Sequence, residues 1–493
     1  MVLGTTSDAG KTVVTTGLCR TLARRGVRVA PFKAQNMSNN SMVTGEGLEI
    51  GRAQWVQAVA ARAEPEVAMN PVLLKPGSDL RSHVVVMGEP AGRLDAHEFA
   101  GARAALAAAA YDAFDDLADR YDVVVCEGAG SPAEVNLREH DFVNLGLARH
   151  AGVPAIMVGD IDRGGVFAAM HGTLALLEEA DQALVGGLVV NKFRGDRDLL
   201  RPGLRTIEQV TGRPVLGVLP WLQDLWLDSE DSLSVRDRPV PSDAGGARLR
   251  VAVVRLPRIS NFTDVDALCV EPALEVTWVA DPRHLAAADV VVLPGTRATT
   301  ADLAWLREQG LADAVQEHAA RGGVVLGICG GFQMLGHEIA DPEGVEGLEG
   351  TCVPGLGLLD VATTFGVHKV LGTPAGSGLG AAVAGYEIHH GRVRVGSGDP
   401  FPGGARSGRV FGTMWHGCLE GDEFRGAWLR LASELSGRGP LATGSVSFAA
   451  ARERRIDAIA DAMEQHLDLD AVGRLIESGP PPGLAPVRGG LVR

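Results

Sequence analysis

The sequence predicts two α/β domains in tandem, each a parallel β-sheet covered by helices. Three observations carry this. The chain, at 493 residues, is too long for a single hydrophobic core. Short apolar runs alternate with helical patterns in two separate blocks, as strands and their crossover helices do. A polar stretch containing Pro and Gly, from Arg236 to Ala247, separates the blocks and has the composition of a linker.

The candidate strands of the first block are Val27–Phe32, Asp122–Cys126, Ala155–Val158, Gly187–Val190 and Pro214–Val218. Those of the second are Arg250–Val254, Glu275–Val279, Val290–Leu293 and Val324–Gly327, with one helix from Ala301 to Ala320 before the last. The expected division is therefore a first domain over 1–235, a linker over 236–249, a second domain over 250–436 and a C-terminal helix and tail over 437–493. That helix, charged and amphipathic from Phe448 to about Leu467, is expected either to cap the second domain or to join a homodimer. Only Val2 and Leu3 precede the first glycine-rich turn. That is short for a buried strand, so either the strand is unusually brief or the natural start lies upstream of Met1.

Composition excludes several classes. An apolar content of 46% describes a globular chain rather than a disordered one. With 46 basic and 61 acidic residues the net charge is −15, which argues against a nucleic-acid partner. Any anionic ligand must then be drawn by local clusters. The Ala-rich stretch 102–110 is too short to cross a membrane and reads as a helix. The six cysteines show no paired or metal-ligand spacing, as expected of thiols in a reducing cytoplasm.

Gly4-Thr-Thr-Ser-Asp-Ala-Gly10-Lys11-Thr12 has the form of a phosphate-binding loop, one residue longer than the common version, followed by a helical pattern from Thr12 to Arg25. Successive backbone N–H groups and a helix N-terminus enclose phosphate oxygens. Lys11 is expected on the β and γ phosphates and Thr12 on Mg²⁺. Thr6, Asp8 and Gly10 complete the expected ATP contacts, with Lys33 at a neighbouring strand end. A second metal ligand is expected from Glu127, just past the run Asp122–Cys126, and a further one from Glu49. Lys75, Arg163, Lys192 and Arg194 also fall at strand ends, where open α/β sheets gather ligands, and suit a carboxylated substrate.

Val324-Val-Leu-Gly327-Ile-Cys329-Gly-Gly331-Phe-Gln333 reads as a strand, a tight turn and a helix, the arrangement of a nucleophile elbow. Glycines two before and two after the cysteine avoid a collision across the turn. The N–H of Gly330 and that of Gly295, at the end of another strand, are the expected oxyanion donors. The thiol needs a base. Among 13 histidines, His416 at the end of a short strand-like run competes with His389 and His390, and periodicity alone does not choose between them.

These motifs resemble known families. Gly327-Ile-Cys-Gly-Gly-Phe-Gln333 is similar to the elbow of class I glutamine amidotransferases, whose cysteine attacks the side-chain amide of glutamine. The N-terminal loop resembles that of dethiobiotin synthetase, which phosphorylates a carboxylate. Joined in this order, the two resemble the cobyric and cobyrinic acid synthases of cobalamin biosynthesis. Pro31-Phe-Lys-Ala-Gln-Asn-Met-Ser38, Met69-Asn-Pro-Val-Leu-Leu-Lys-Pro76, Asp160-Ile-Asp-Arg-Gly-Gly165 and Gly385-Tyr-Glu-Ile-His-His-Gly391 point to the cobyric branch, and the resemblance covers nearly the whole chain.

The resemblance implies a dethiobiotin-synthetase-like P-loop sheet domain joined to a class I glutamine amidotransferase α/β domain. It implies Cys329 as nucleophile, His416 as base, Gln333 near the glutamine and Mg·ATP on Lys11 and Thr12. It also implies a corrinoid polycarboxylate, adenosylcobyrinic acid a,c-diamide, as acceptor. One departure stands out. Amidotransferases usually carry Glu two residues after the catalytic His; here that residue is Cys418, and Glu420 is out of register. The third partner is open (a backbone carbonyl, another residue or none), and a Cys–His dyad is expected. A partitioning-type P-loop switch is a poorer fit, because Thr5 and Thr6 stand where those proteins carry an extra Lys.

Overall fold

The computed structural model describes residues 1–76, 81–95, 99–222, 248–443 and 446–488. The expected linker lies, through residue 247, outside them.

The first sheet is parallel. Val2–Gly4, Ala155–Asp160, Val185–Phe193 and Val215–Pro220 pair in that spatial order. On the other side, Val29–Phe32 pairs with Val123–Cys126, and a parallel bridge between Val2 and Glu127 joins this pair to the rest. These strands are buried apolar runs because helices cover both faces of a parallel sheet. The first strand is only three residues long. Its end passes through the glycine-rich turn into the helix Lys11–Arg24, which buries Val14 and Leu18.

An insertion not expected from the sequence follows Lys33. Gln35–Met37 pairs with Val72–Pro76, which continues antiparallel into Arg81–Val86 and Glu89–Asp95. A small hairpin joins Ser41–Val43 to Glu49–Gly51.

The second sheet runs Leu274–Val279, Leu249–Val254, Val290–Leu293, Val324–Ile328 and Val410–Thr413 in parallel, then turns antiparallel through Gly404–Ser407 and Asp399–Phe401. The helix expected over 301–320 is two helices, Thr299–Glu308 and Leu311–Ala320. The break is at Gly310, whose φ of +71° is left-handed backbone that glycine adopts without strain.

The helix Phe448–His466 starts with Phe448 in the second domain's core and then runs onto the first domain rather than capping the second. It lies on Lys11–Arg24 of the first domain, with Ile459 and Met463 against Gly17, where an added Cβ would sit 2.6 Å from Met463 Cγ. Arg20 pairs with Glu453 at 2.7 Å, and Arg24 with Asp457 and Asp461 at 2.9 and 2.7 Å. A further helix, Leu469–Ser478, occupies what reads in the sequence as tail.

Candidate active sites

The phosphate loop is built around Glu127. Its Oε1 accepts from Thr12 Oγ1 at 2.9 Å and from Lys33 Nζ at 2.9 Å, and its Oε2 accepts from Gln57 Nε2 at 2.5 Å. Lys33 is thus buried as the counter-ion of Glu127. Lys11 Nζ reaches across the turn to the carbonyls of Thr6 and Gly130 at 3.0 and 3.1 Å. Gly10 has φ +98°, and a Cβ there would lie 1.9 Å from Asn191 Nδ2, which itself donates to Ala9 O. Asp8 pairs with Arg163 at 3.2 Å, while Lys192 donates to the Asp8 carbonyl at 2.7 Å. Arg194 lies over Trp221, 3.7 Å from the ring centre. The helix behind the loop has no acidic residue in its first turn, which leaves its N-terminal field free to favour an anion.

At the second centre, Cys329 alone separates the strand Val324–Ile328 from the helix Gly330–Leu335. Its φ of +49° and ψ of −109° are strained for a residue with a side chain, a cost of about 1–3 kcal/mol that surrounding contacts must offset. The flanking glycines explain how the turn closes. A Cβ on Gly327 would meet the Phe332 backbone at 2.7 Å, and one on Gly331 would meet Leu293 O at 2.0 Å. Gly295 also lies against the site, since a Cβ there would stand 2.8 Å from His416 Cε1, while one on Gly330 would meet Thr296 Cγ2 at 2.6 Å.

His416 is the histidine beside Cys329. Its backbone exchanges two 2.9 Å hydrogen bonds with Tyr386, whose ring stacks on the imidazole 5.3 Å away, so the Gly385–Gly391 motif serves to hold it. His389 and His390 line the cavity instead, and His390 is engaged with Gly366 O at 3.2 Å. Burial, then the cations Arg297 and Lys369, push His390 down to about 4, so it stays neutral.

The third partner is Asp264. Its Oδ2 lies 2.7 Å from His416 Nδ1, and its Oδ1 accepts from the Gly417 N–H at 2.7 Å. Burial favours the neutral imidazole, but the Asp264 carboxylate and then Cys329 outweigh it and push His416 up to about 10. Asp264 thus fills the place that the expected Cys–His dyad left open. Glu420 is spent elsewhere, on Arg52 and Arg452 at 2.8 and 2.7 Å.

A cavity of about 420 Å³ opens at Cys329. Gln333 Oε1 accepts from Thr299 Oγ1 at 3.1 Å, and Thr299 in turn reaches Glu346 at 3.1 Å. Burial pushes Glu346 up to about 7. The wall is shared between domains, for Lys75 and His83 of the first line it with Arg297 and Lys369 of the second.

Comparison with known proteins agrees with the two-domain division. Residues 1–235 match the CobQ/CobB/MinD/ParA nucleotide binding domain, and residues 250–424 match the CobB/CobQ-like glutamine amidotransferase domain. A cobyric acid synthase of Mycolicibacterium gilvum is 64% identical over 489 residues, and one of Mycobacterium tuberculosis is 65% identical over 491; each alignment covers 98% of both chains. The chain belongs to the cobyric acid synthase family. It is a glutamine-hydrolysing, ATP-dependent carbon–nitrogen ligase. Among solved structures, a glutamine amidotransferase matches 38% of this chain and 98% of its own, at 24% identity and a TM-score of 0.30.

Two residues of this cobyric acid synthase family member lie away from their expected roles. Glu49, expected as a metal ligand, is not in the Thr12–Glu127 cluster. Its Oε1 takes bonds from Lys75 at 2.5 Å and Ser41 Oγ at 2.7 Å, and its Oε2 is paired with Lys369 of the second domain. Burial opposes its charge, but Lys369 and Lys75 hold it well below the usual carboxylate range. Lys75 accordingly belongs to the domain junction rather than to a substrate site beside the phosphate loop. Asp264 was the residue no motif marked. Its only sequence signal is a place after the strand Leu249–Val254, at the sheet edge where ligands collect, 152 residues from His416.

Proposed function

We propose that the enzyme amidates the b, d, e and g carboxylates of adenosylcobyrinic acid a,c-diamide to give adenosylcobyric acid. The observation that carries this reading is the Cys329–His416–Asp264 constellation on one chain with a complete phosphate loop. The family relatives are called cobyric acid synthases, which supports the corrinoid acceptor.

In the glutaminase half, Cys329 Sγ attacks the side-chain carbonyl carbon of glutamine. The thiol proton passes to His416, whose imidazolium form Asp264 stabilises, and His416 hands it to the departing ammonia, leaving a glutamyl thioester. Water then attacks the thioester, with His416 taking the water's proton, and glutamate leaves as the thiol reforms. The N–H groups of Gly330, next to Cys329, and of Gly295, against His416, serve as the oxyanion donors in this reading, and Gln333 lines the cavity that takes glutamine. Fixing Nδ1 on Asp264 directs Nε2 of the same ring to the sulfur.

In the synthetase half, a substrate carboxylate oxygen takes the γ-phosphoryl group of ATP, and ammonia displaces phosphate from the resulting acyl phosphate. Lys11 and the loop N–H groups hold the phosphates. The Thr12 hydroxyl and Glu127 carboxylate, 2.9 Å apart, suit Mg²⁺, which prefers hard oxygen ligands. When bound, the ion neutralises charge on the β and γ phosphates. Excluding water matters here because it would hydrolyse the acyl phosphate.

The test is product mass spectrometry on each corrinoid acid with ATP and glutamine. Conversion of the a,c-diamide through the full set of four acid-to-amide steps is expected. Turnover of the unamidated acid alone, stopping at the a,c-diamide, would instead identify a cobyrinic acid a,c-diamide synthase. Cys329→Ala should abolish glutamine-dependent synthesis and leave ammonium-dependent synthesis, and Lys11→Ala should abolish both.

A further inference from the structure

We propose that Asn40, in the ATP-binding domain, is a positioning residue for glutamine hydrolysis: together with Asn261 it fixes the turn that carries Asp264. The proposal rests on the triad reading given above.

Asp264 lies in a 3₁₀ turn, Phe262–Val265, that runs directly into the short helix Asp266–Cys269. The residue before the turn, Asn261, is left-handed at φ +48°, a conformation asparagine tolerates better than most side chains. In that place an asparagine ordinarily caps its own helical turn through its side-chain oxygen. Asn261 does not. Its Oδ1 instead accepts from the backbone N–H of Ser41 in the other domain, at 2.9 Å. The N–H at the start of the turn, that of Phe262, donates across the junction to Asn40 Oδ1 at 3.3 Å. The two asparagines thus exchange caps between domains.

All four residues of this exchange, Asn40, Ser41, Asn261 and Phe262, are at most 3% exposed. Little water reaches these positions, so a hydrogen bond lost across the junction is not replaced by solvent and the turn shifts. Asp264 is two residues from Phe262 and makes both of its short bonds, to His416 and Gly417, from this turn. A shift of the turn is therefore a shift of the carboxylate against the imidazole.

On its own side, Asn40 is firmly held. Its carbonyl accepts from Arg52 N at 3.0 Å, and Ser41 Oγ is bound by Glu49 and Lys75. The same segment begins at Lys33, the counter-ion of Glu127 at the phosphate loop. Residues 33–41 thus form one short connection from the phosphate site to the triad acid. Glutamine hydrolysis is competent when that segment is seated.

The experiment uses the full-length enzyme and reads glutamate release and ammonium-dependent amidation separately. Asn40→Ala is expected to lower the glutaminase kcat at least tenfold, with KM for glutamine within about twofold and ammonium-dependent synthesis retained. Asn40→Asp, which keeps an oxygen acceptor for the Phe262 N–H, should recover most of the lost kcat. Asn261→Gly tolerates the left-handed backbone and removes the whole side-chain amide, including the Oδ1 acceptor of the Ser41 N–H, so it decides the matter if Asn40→Ala does not fold; it should show the same selective loss. Wild-type glutaminase in both Asn40→Ala and Asn261→Gly would overturn the proposal. Equal loss of glutamine- and ammonium-dependent synthesis would also overturn it, by showing a merely structural junction. Cys329→Ala, measured alongside, tests the triad itself: if it retained glutaminase, the reading beneath the proposal would fail rather than the proposal.

Discussion

Replacing Asp264 by Asn removes one negative charge from a buried site while keeping the shape of the side chain. In the wild type its carboxylate lies 2.7 Å from His416 Nδ1, with the ring almost fully buried. Charges about 4 Å apart in an effective dielectric near 20 attract by about 4 kcal/mol, which is about 10³ in an equilibrium constant. Without that attraction, burial works against the imidazolium with only Cys329 opposing it, and His416 falls from about 10 back toward its ordinary 6.5. The amide can also present its NH₂ to Nδ1 and invert the tautomer, an effect worth about 10⁴ in kcat in serine proteases. A fall of about 10³–10⁴ in glutaminase kcat is therefore expected. The assay is glutamate release at saturating glutamine across a pH series, with ammonium-dependent synthesis as the control. The raised value of His416 means that its pairing contributes stability fully below 6.5 and loses it as pH rises through about 10. The alkaline limb of glutaminase should accordingly lie near that upper value in the wild type and move to lower pH in the variant. A variant within tenfold of wild type, or one whose alkaline limb does not move, would refute the assignment of Asp264.

Three further outcomes follow from packing and charge. Gly10→Ala places a Cβ 1.9 Å from Asn191 Nδ2 on backbone with φ +98°, so titration with a fluorescent ATP analogue should show affinity lowered at least tenfold while glutaminase persists. Met463→Ala empties the contact between the C-terminal helix and Gly17; about 2–5 kcal/mol should be lost, seen by calorimetry as a lower unfolding temperature, with the glutaminase rate unchanged at low temperature. Glu49→Gln leaves Lys75 and Lys369 facing each other without a carboxylate and should cost about 3–5 kcal/mol. The Mg²⁺ dependence of that variant should match the wild type; a raised Mg²⁺ requirement with unchanged thermal stability would instead return Glu49 to the metal.

Local pattern carried much of the architecture. Strands such as Val290–Leu293 and Val324–Ile328 are apolar runs because a parallel sheet is buried on both faces, and that leaves a mark in sequence. The insertion after Lys33 leaves no such mark. Its strands Gln35–Met37 and Glu49–Gly51 are three residues each, of mixed polarity, and owe their form to partners elsewhere in the chain. The helix Phe448–His466 was legible as a helix, since its pattern is local. Its seat on Lys11–Arg24 was not, because an amphipathic face says that something covers it and not what.

The same division runs through the two centres. The phosphate loop and the cysteine elbow are contiguous motifs whose glycines, lysine and thiol are dictated by tight turns, so the sequence by itself determined them: a Cβ at Gly331 or Gly10 has nowhere to go. Asp264 with His416, the ion pair of Glu49 with Lys369 and the cap exchange between Asn40 and Asn261 join residues 152, 320 and about 220 positions apart. No local pattern encodes such pairs. Only the tertiary structure decided them, because a buried charge or N–H takes whichever partner the packed domains bring within reach.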